Sequence, residues 1–157
     1  MKYLDTVIRD MVEEDLDQVM EIENLCFQHP WKKVDFLYEM YENDFSNLLV
    51  IELSNQSLGL KQICGFVDFW TTFNTGTIAQ IAVHPDIQRQ KLGTELINEV
   101  FKECKIKRVN TITLEVRVSN IKAQKFNLKH GFEAVVVKPG YYSHGEDAIY
   151  MMKEVSL

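Results

Sequence analysis

Ile81-Ala82-Val83-His84-Pro85-Asp86-Ile87-Gln88-Arg89-Gln90-Lys91-Leu92-Gly93-Thr94 reads as the end of a strand, a short loop and the start of a helix. A helix start leaves backbone N–H groups outside the helical ladder and carries the positive end of the dipole, so such a junction is an anion site. Gln88, Arg89 and Lys91 add donors and charge, and a diphosphate is the group they would hold. Spacing alone equally allows a charged surface loop that merely begins a helix. The stretch matches neither G-x-x-x-x-G-K-S/T nor G-x-G-x-x-G, so the common nucleotide loops are excluded.

Working outward, Leu92, Leu96, Val100 and Cys104, flanked by Ile97 and Phe101, form one apolar face, with Glu95, Glu99, Lys102 and Glu103 opposite, which predicts an amphipathic helix. Ile112, Leu114 and Val116 then alternate with Thr111, Thr113 and Glu115, the period of a strand. That alternation sets Glu115 on the face opposite Leu114, near a strand end where an α/β site opens. A solvated strand carboxylate has the same spacing. Asn120 can cap a helix to about His130 that stops at Gly131, and residues 133–137 and 148–153 read as two strands.

Upstream, Thr6–Arg9 is extended and Glu13–Phe27 is predicted helical, with Leu16, Val19, Met20 and Phe27 at helical spacing. Pro30 interrupts, and Phe36, Leu37, Met40 and Tyr41 suggest a second, shorter helix. Residues 47–53, 64–71 and 77–83 read as an antiparallel meander. The order is βααβββαβαββ. It predicts an α/β fold with a mixed, mostly antiparallel, seven-stranded sheet and helices on both faces.

The 157 residues include three prolines and seven glycines with no Pro-rich or Ser/Gly-rich stretch, so a single domain over 1–157 is expected. Hydrophobic residues make up 46% and charged residues 25%, the balance of a globular domain rather than a disordered chain. Seventeen Lys and Arg against twenty-three Asp and Glu give −6, the wrong sign for covering nucleic acid; a basic partner or substrate fits better. No apolar run spans a membrane, and MKYLDTVIRD lacks an apolar leader, which points to the cytoplasm. Cys26, Cys64 and Cys104 have no C-x-x-C spacing and are expected as free thiols in the core. His29, His84, His130 and His144 show no ligand spacing, so no metal is expected. Trp31 and Trp70 read as core or rim aromatics.

Gln88-Arg89-Gln90-Lys91-Leu92-Gly93, following Val83-His84-Pro85, resembles the Q/R-x-x-G-x-G/A acetyl-CoA loop of the GNAT acetyltransferases. More narrowly, Leu114-Glu115-Val116-Arg117-Val118-Ser119-Asn120, then Ala123 and Gly131-Phe132, is similar to a block of the RimI-type ribosomal protein alanine N-acetyltransferases. So are His29-Pro30-Trp31 and Tyr141-Tyr142 with Gly145-Glu146-Asp147-Ala148-Ile149-Tyr150-Met151. The resemblance spans nearly the whole chain.

It implies acetyl transfer from acetyl-CoA to a protein N-terminal amine, that of an alanine on a small-subunit ribosomal protein, without direct nucleic-acid or membrane contact. Ile81, Ala82 and Val83 would pair through their main chain with the pantetheine arm. Arg89, Gln90, Lys91, Leu92, Gly93 and Thr94 would wrap the pyrophosphate, and Asn120 would touch the cofactor. Glu115 stands at the family's general base, and Tyr141 and Tyr142 would flank the acceptor peptide. Two positions depart from the pattern. Lys91 replaces the loop's first glycine, which is tolerable if its φ is ordinary and useful if its ammonium faces phosphate. Asn127 replaces the proton-donating tyrosine; a carboxamide donates a hydrogen bond but gives up no proton at useful pH. Another acceptor, such as a lysine side chain, a polyamine or an antibiotic, and a CoA-binding module without catalysis both stay open.

Overall fold

A computed structural model describes residues 4–55 and 59–155. The chain forms two compact units: Met1–Trp70 with Gln80–Val100, and Thr71–Ala79 with Phe101–Leu157. Their elements are β1 (Leu4–Asp10), α1 (Leu16–Cys26), α2 (Lys33–Tyr41), β2 (Ser46–Asn55), β3 (Leu60–Thr72), β4 (Thr75–Val83), α3 (Leu92–Ile106), β5 (Thr111–Arg117), α4 (Ile121–Lys129), β6 (Glu133–Lys138) and β7 (Ala148–Glu154). The seven strands make one mixed sheet in the order β1-β2-β3-β4-β5-β7-β6, the class that the residue pattern predicts. Among the described residues no helix is long and apolar enough to cross a membrane.

In the first unit, β1 pairs antiparallel with β2 and β2 with β3. Met11, Leu16, Val19, Ile22, Phe36, Val50, Ile63, Phe66 and Ala82 form its core. Phe36 anchors α2 there, with ring centres 5.2 Å from Trp31 and 5.5 Å from Phe66. Gly65 is required by the close approach of β3 to β4, since a Cβ on it would lie 2.8 Å from the Ala82 carbonyl oxygen. The expected helix over Glu13–Phe27 needs correction: Glu13–Asp15 is a 3-10 turn, α1 begins at Leu16, and Phe27 lies beyond its end in extended conformation. Glu23 is buried, which the apolar spacing did not indicate. Its Oε2 accepts the Trp31 amide at 2.8 Å and the Gln80 amide group at 3.1 Å, and desolvation raises its pKa. The acid thereby ties the α1–α2 connection to β4.

In the second unit, β4 runs parallel to β5 over Thr75–Thr77 against Thr111–Thr113, and β7 pairs antiparallel with both β5 and β6. Ile112, Leu114, Val116, Phe132, Ala148 and Met151 are buried, so the alternation along β5 points its apolar side chains inward as the sequence predicts. The β6–β7 register shifts by one residue between Ala134 and Val136, a β-bulge. Beyond it Val136 lies across from Tyr150, which is itself across from Glu115. Directly paired residues share a sheet face, so Glu115, Tyr150, Val136 and, two residues on, Lys138 lie on one side. Without the bulge Lys138 would point to the other side.

Candidate active site

The anion loop belongs to the first unit. Ala82 and Val83 are buried at the end of β4, and the chain turns at His84, whose Nδ1 accepts the Asp86 amide at 3.3 Å. A 3-10 turn over Pro85–Gln90 follows, then Lys91, then α3. The Glu95 amide gives 3.2 Å to the Lys91 carbonyl, so the amides of Leu92, Gly93 and Thr94 come ahead of the helical ladder. The helix is fifteen residues long including that first turn, and its summed dipole favours an anion there. A backbone nest of this kind suits a diphosphate. The side chains of Gln88, Arg89 and Gln90 fall outside the described residues.

Lys91 is left-handed, at φ 58° and ψ 26°, the conformation that glycine adopts without penalty, so the condition of an ordinary φ is not met. Its side chain is exposed, which leaves the ammonium in solvent reach. One expectation is corrected here: Cys26 is not a plain core residue. It is only half-buried, and its thiol donates to the Val83 carbonyl at 3.3 Å, whereas Cys64 and Cys104 are buried as expected.

The second unit holds the titratable cluster. Glu115 leaves only 18% of its side chain exposed, and its Oε2 accepts the Lys138 ammonium at 2.7 Å. That ammonium lies 4.5 Å from the Tyr150 ring centre and 5.4 Å from that of Tyr141. Hydrogen bonding to Glu115 raises the Lys138 pKa, so the group stays an ammonium. Burial and then the Glu115 charge raise the Tyr141 pKa, which keeps the phenol neutral.

The connection between β6 and β7 carries Tyr141 and Tyr142, whose rings meet edge-on at 5.0 Å. It is anchored rather than loose. The Glu146 carboxylate accepts the Ser119 amide at 3.0 Å and the Ser119 hydroxyl, and pairs with Arg117 at 3.1 Å. Arg117 also bonds His144 and lies 3.8 Å over the Tyr142 ring. The Gly140 amide closes the loop on Asp147 Oδ1 at 2.8 Å. Burial pushes the Tyr142 phenol up to about 12, with Arg117 pulling the other way.

The structure thus brings Glu115, Tyr141 and Tyr150 together around Lys138, a residue that sequence reasoning missed. Asn127 stands apart from them. It is buried in α4 and donates to Met151 Sδ at 3.7 Å. Met151 pairs with Leu114, on the sheet face opposite Glu115. Asn120 spends its Oδ1 on capping α4 through the Ala123 amide at 3.1 Å.

Residues 16–132 match the acetyltransferase (GNAT) family. The chain is 36% identical over 145 residues, 92% of each protein, to a Bacillus subtilis protein provisionally named a ribosomal protein bS18-alanine N-acetyltransferase. It is 30% identical over 146 residues, 91% of this chain and 93% of the relative, to the ribosomal protein bS18-alanine N-acetyltransferase of Escherichia coli K12. The crystal structure of the ribosomal-protein-S18-alanine N-acetyltransferase from Escherichia coli superposes with a TM-score of 0.79 at 29% identity, covering 97% of this chain and 95% of that one.

Proposed function

The chain belongs to the acetyltransferase (GNAT) family, and from that premise we propose that this acetyl-CoA-dependent N-acetyltransferase modifies a protein N-terminus, that of an alanine on a small-subunit ribosomal protein. The names of its bS18-alanine relatives support that acceptor, and so does its charge of −6, because electrostatic complementarity favours a basic partner. The observation that carries the chemistry is the half-buried Glu115 carboxylate holding an ammonium at 2.7 Å between tyrosine rings. It is a setting fit for an amine that arrives protonated.

Acetyl-CoA supplies an acetyl group on a thiol that leaves readily. The backbone at Ile81, Ala82 and Val83 holds the pantetheine arm, and the amides from Arg89 to Thr94 hold the diphosphate with Lys91 adding charge. Glu115 takes a proton from the acceptor ammonium, directly or through one water. The amine lone pair then attacks the thioester carbonyl, the new C–N bond forms, and the C–S bond breaks with its electron pair on sulfur. Asn127 gives up no proton at useful pH, and its amide is already committed to Met151 Sδ. A thiol with pKa near ~8.5 leaves as thiolate when donors stabilise it. Tyr141 and Tyr142 wall the acceptor peptide on a loop that Glu146 and Arg117 keep in place.

Thiol release from acetyl-CoA in the presence of a peptide panel tests the reading. A basic peptide beginning with alanine should be acetylated at its α-amine, with internal lysines and polyamines poor acceptors. Faster acetylation of internal lysines would overturn the acceptor, and no thiol release with any amine would overturn the catalysis.

A further inference from the structure

Lys138 sits where an acceptor amine would have to sit. Its ammonium fills the space against Glu115 Oε2 at 2.7 Å, and the Tyr150 and Tyr141 rings form the walls. A carboxylate with aromatic faces is the general chemistry of an ammonium receptor. Only 18% of the Glu115 side chain is open to solvent, and its Oε2 is already taken by Lys138. Among the described residues, the charged and titratable groups around this point include Glu115 and, two residues on along the same face, Arg117 from β5; Tyr150 from β7; Lys138 from β6; and Tyr141 and Tyr142 from the following loop. Arg117 is committed to Glu146 and Tyr142, and among the described residues Lys138 is the cation paired with Glu115.

We propose that the Lys138 ammonium is a resident stand-in for the acceptor's ammonium, which an acceptor must displace from Glu115 before it can be acetylated. The inference rests on the reading of Glu115 as the base that meets the amine. Lys138 is the last residue of β6, its side chain is 39% exposed, and Pro139 and Gly140 follow. A lysine stem so placed can swing its head into water without moving the strand. Displacement makes Lys138 a specificity residue. An intramolecular ammonium competes at an effective concentration in the millimolar range, so an isolated amine loses to it. Only an acceptor that adds contacts along a peptide outcompetes it. The same lysine read instead as a permanent support for Glu115 would act in the opposite direction, and the two roles separate experimentally.

The variants are Lys138→Met, which keeps the stem and removes the charge, and Lys138→Arg, which restores a cation. Affinity for a basic Ala-first peptide and for alaninamide is read by calorimetry with CoA present, so no turnover is needed. The peptide and acetyl-CoA KM values are read alongside, and circular dichroism checks folding. Lys138→Met should bind both probes roughly tenfold more tightly, the worth of one exposed ion pair with its cation–π contact, and should lower KM for the peptide but not for acetyl-CoA. Lys138→Arg should return toward wild type. Equal or weaker binding by Lys138→Met, binding of neither probe by any variant, or failure of Lys138→Met to fold where Lys138→Arg folds would overturn the proposal. Absence of peptide acetylation in the wild type with the binding gain intact would overturn the functional reading alone.

Discussion

Trp70 donates its indole N–H to Glu39 at 2.5 Å, joining the end of β3 to α2, and Asn43 gives the same carboxylate a second bond at 2.9 Å. Behind Glu39 lies Asp68, fully buried, with the Ser46 hydroxyl donating to its Oδ1 at 2.9 Å. Burial, reinforced by the hydrogen bond and charge of Glu39, pushes the Asp68 carboxyl up to about 9. The pair therefore shares a proton at neutral pH.

That proton makes stability depend on pH. A carboxyl raised from 3.8 toward about 9 binds its proton in the folded chain and has lost it in the unfolded one throughout that window. Its stabilising contribution is thus complete at the acid end and fades as pH rises toward 9. Thermal unfolding followed from pH 6 to pH 9 should show a falling midpoint. Asp68→Asn keeps an acceptor for Ser46 and a donor for Glu39 without the proton, so it should flatten the profile and add about 1–3 kcal/mol at the alkaline end. An unchanged slope in this variant would show that Asp68 is not the titrating group.

Lys91→Gly should raise stability and weaken acetyl-CoA binding together. A non-glycine residue at φ 58° carries a penalty of about 1 kcal/mol that glycine relieves, so urea unfolding should show a gain near that size. Calorimetry at low salt should show weaker acetyl-CoA binding, since the exposed ammonium is gone. Tighter binding would mean that the lysine is a defect in the loop rather than a phosphate ligand.

Glu115→Gln should lower kcat by roughly 10²–10⁴-fold, the usual worth of a general base, with KM for acetyl-CoA nearly unchanged. Full activity in this variant would remove Glu115 from the mechanism.

Arg117→Met should raise KM for the peptide about tenfold while the acetyl-CoA KM stays put, because the guanidinium joins Glu146, His144 and the Tyr142 ring and so holds the loop that we propose walls the acceptor. Proteolysis within 139–147 should quicken in step. A variant with normal peptide KM would detach the loop from acceptor binding.

Asn127→Tyr tests the missing acid against the space available. Asn127 is 6% exposed and packed on Met151, so the larger ring should destabilise the fold by about 1–3 kcal/mol. Turnover measured well below the unfolding midpoint should still rise if thiolate release limits the rate. Unchanged turnover would show that a phenol at position 127 supplies no limiting proton.

Much of this protein is determined by neighbours in the sequence. The apolar face of Leu92, Leu96, Val100 and Cys104 defines α3, the alternation of Ile112, Leu114 and Val116 defines β5 and turns Glu115 away from the core, and Asn120 caps α4. These features rest on helical and strand periods, which a short window of residues carries whole. Lys138 was decided elsewhere. Its side of the sheet depends on the one-residue shift between Ala134 and Val136 against β7, and that shift belongs to the pairing of two strands rather than to either alone. The burial of Glu23 rests likewise on Trp31 and Gln80, and the half-exposed Cys26 on a carbonyl 57 residues away. Periodicity is local and survives in the sequence; register, and the partner that makes a buried acid tolerable, exist only once distant segments have met.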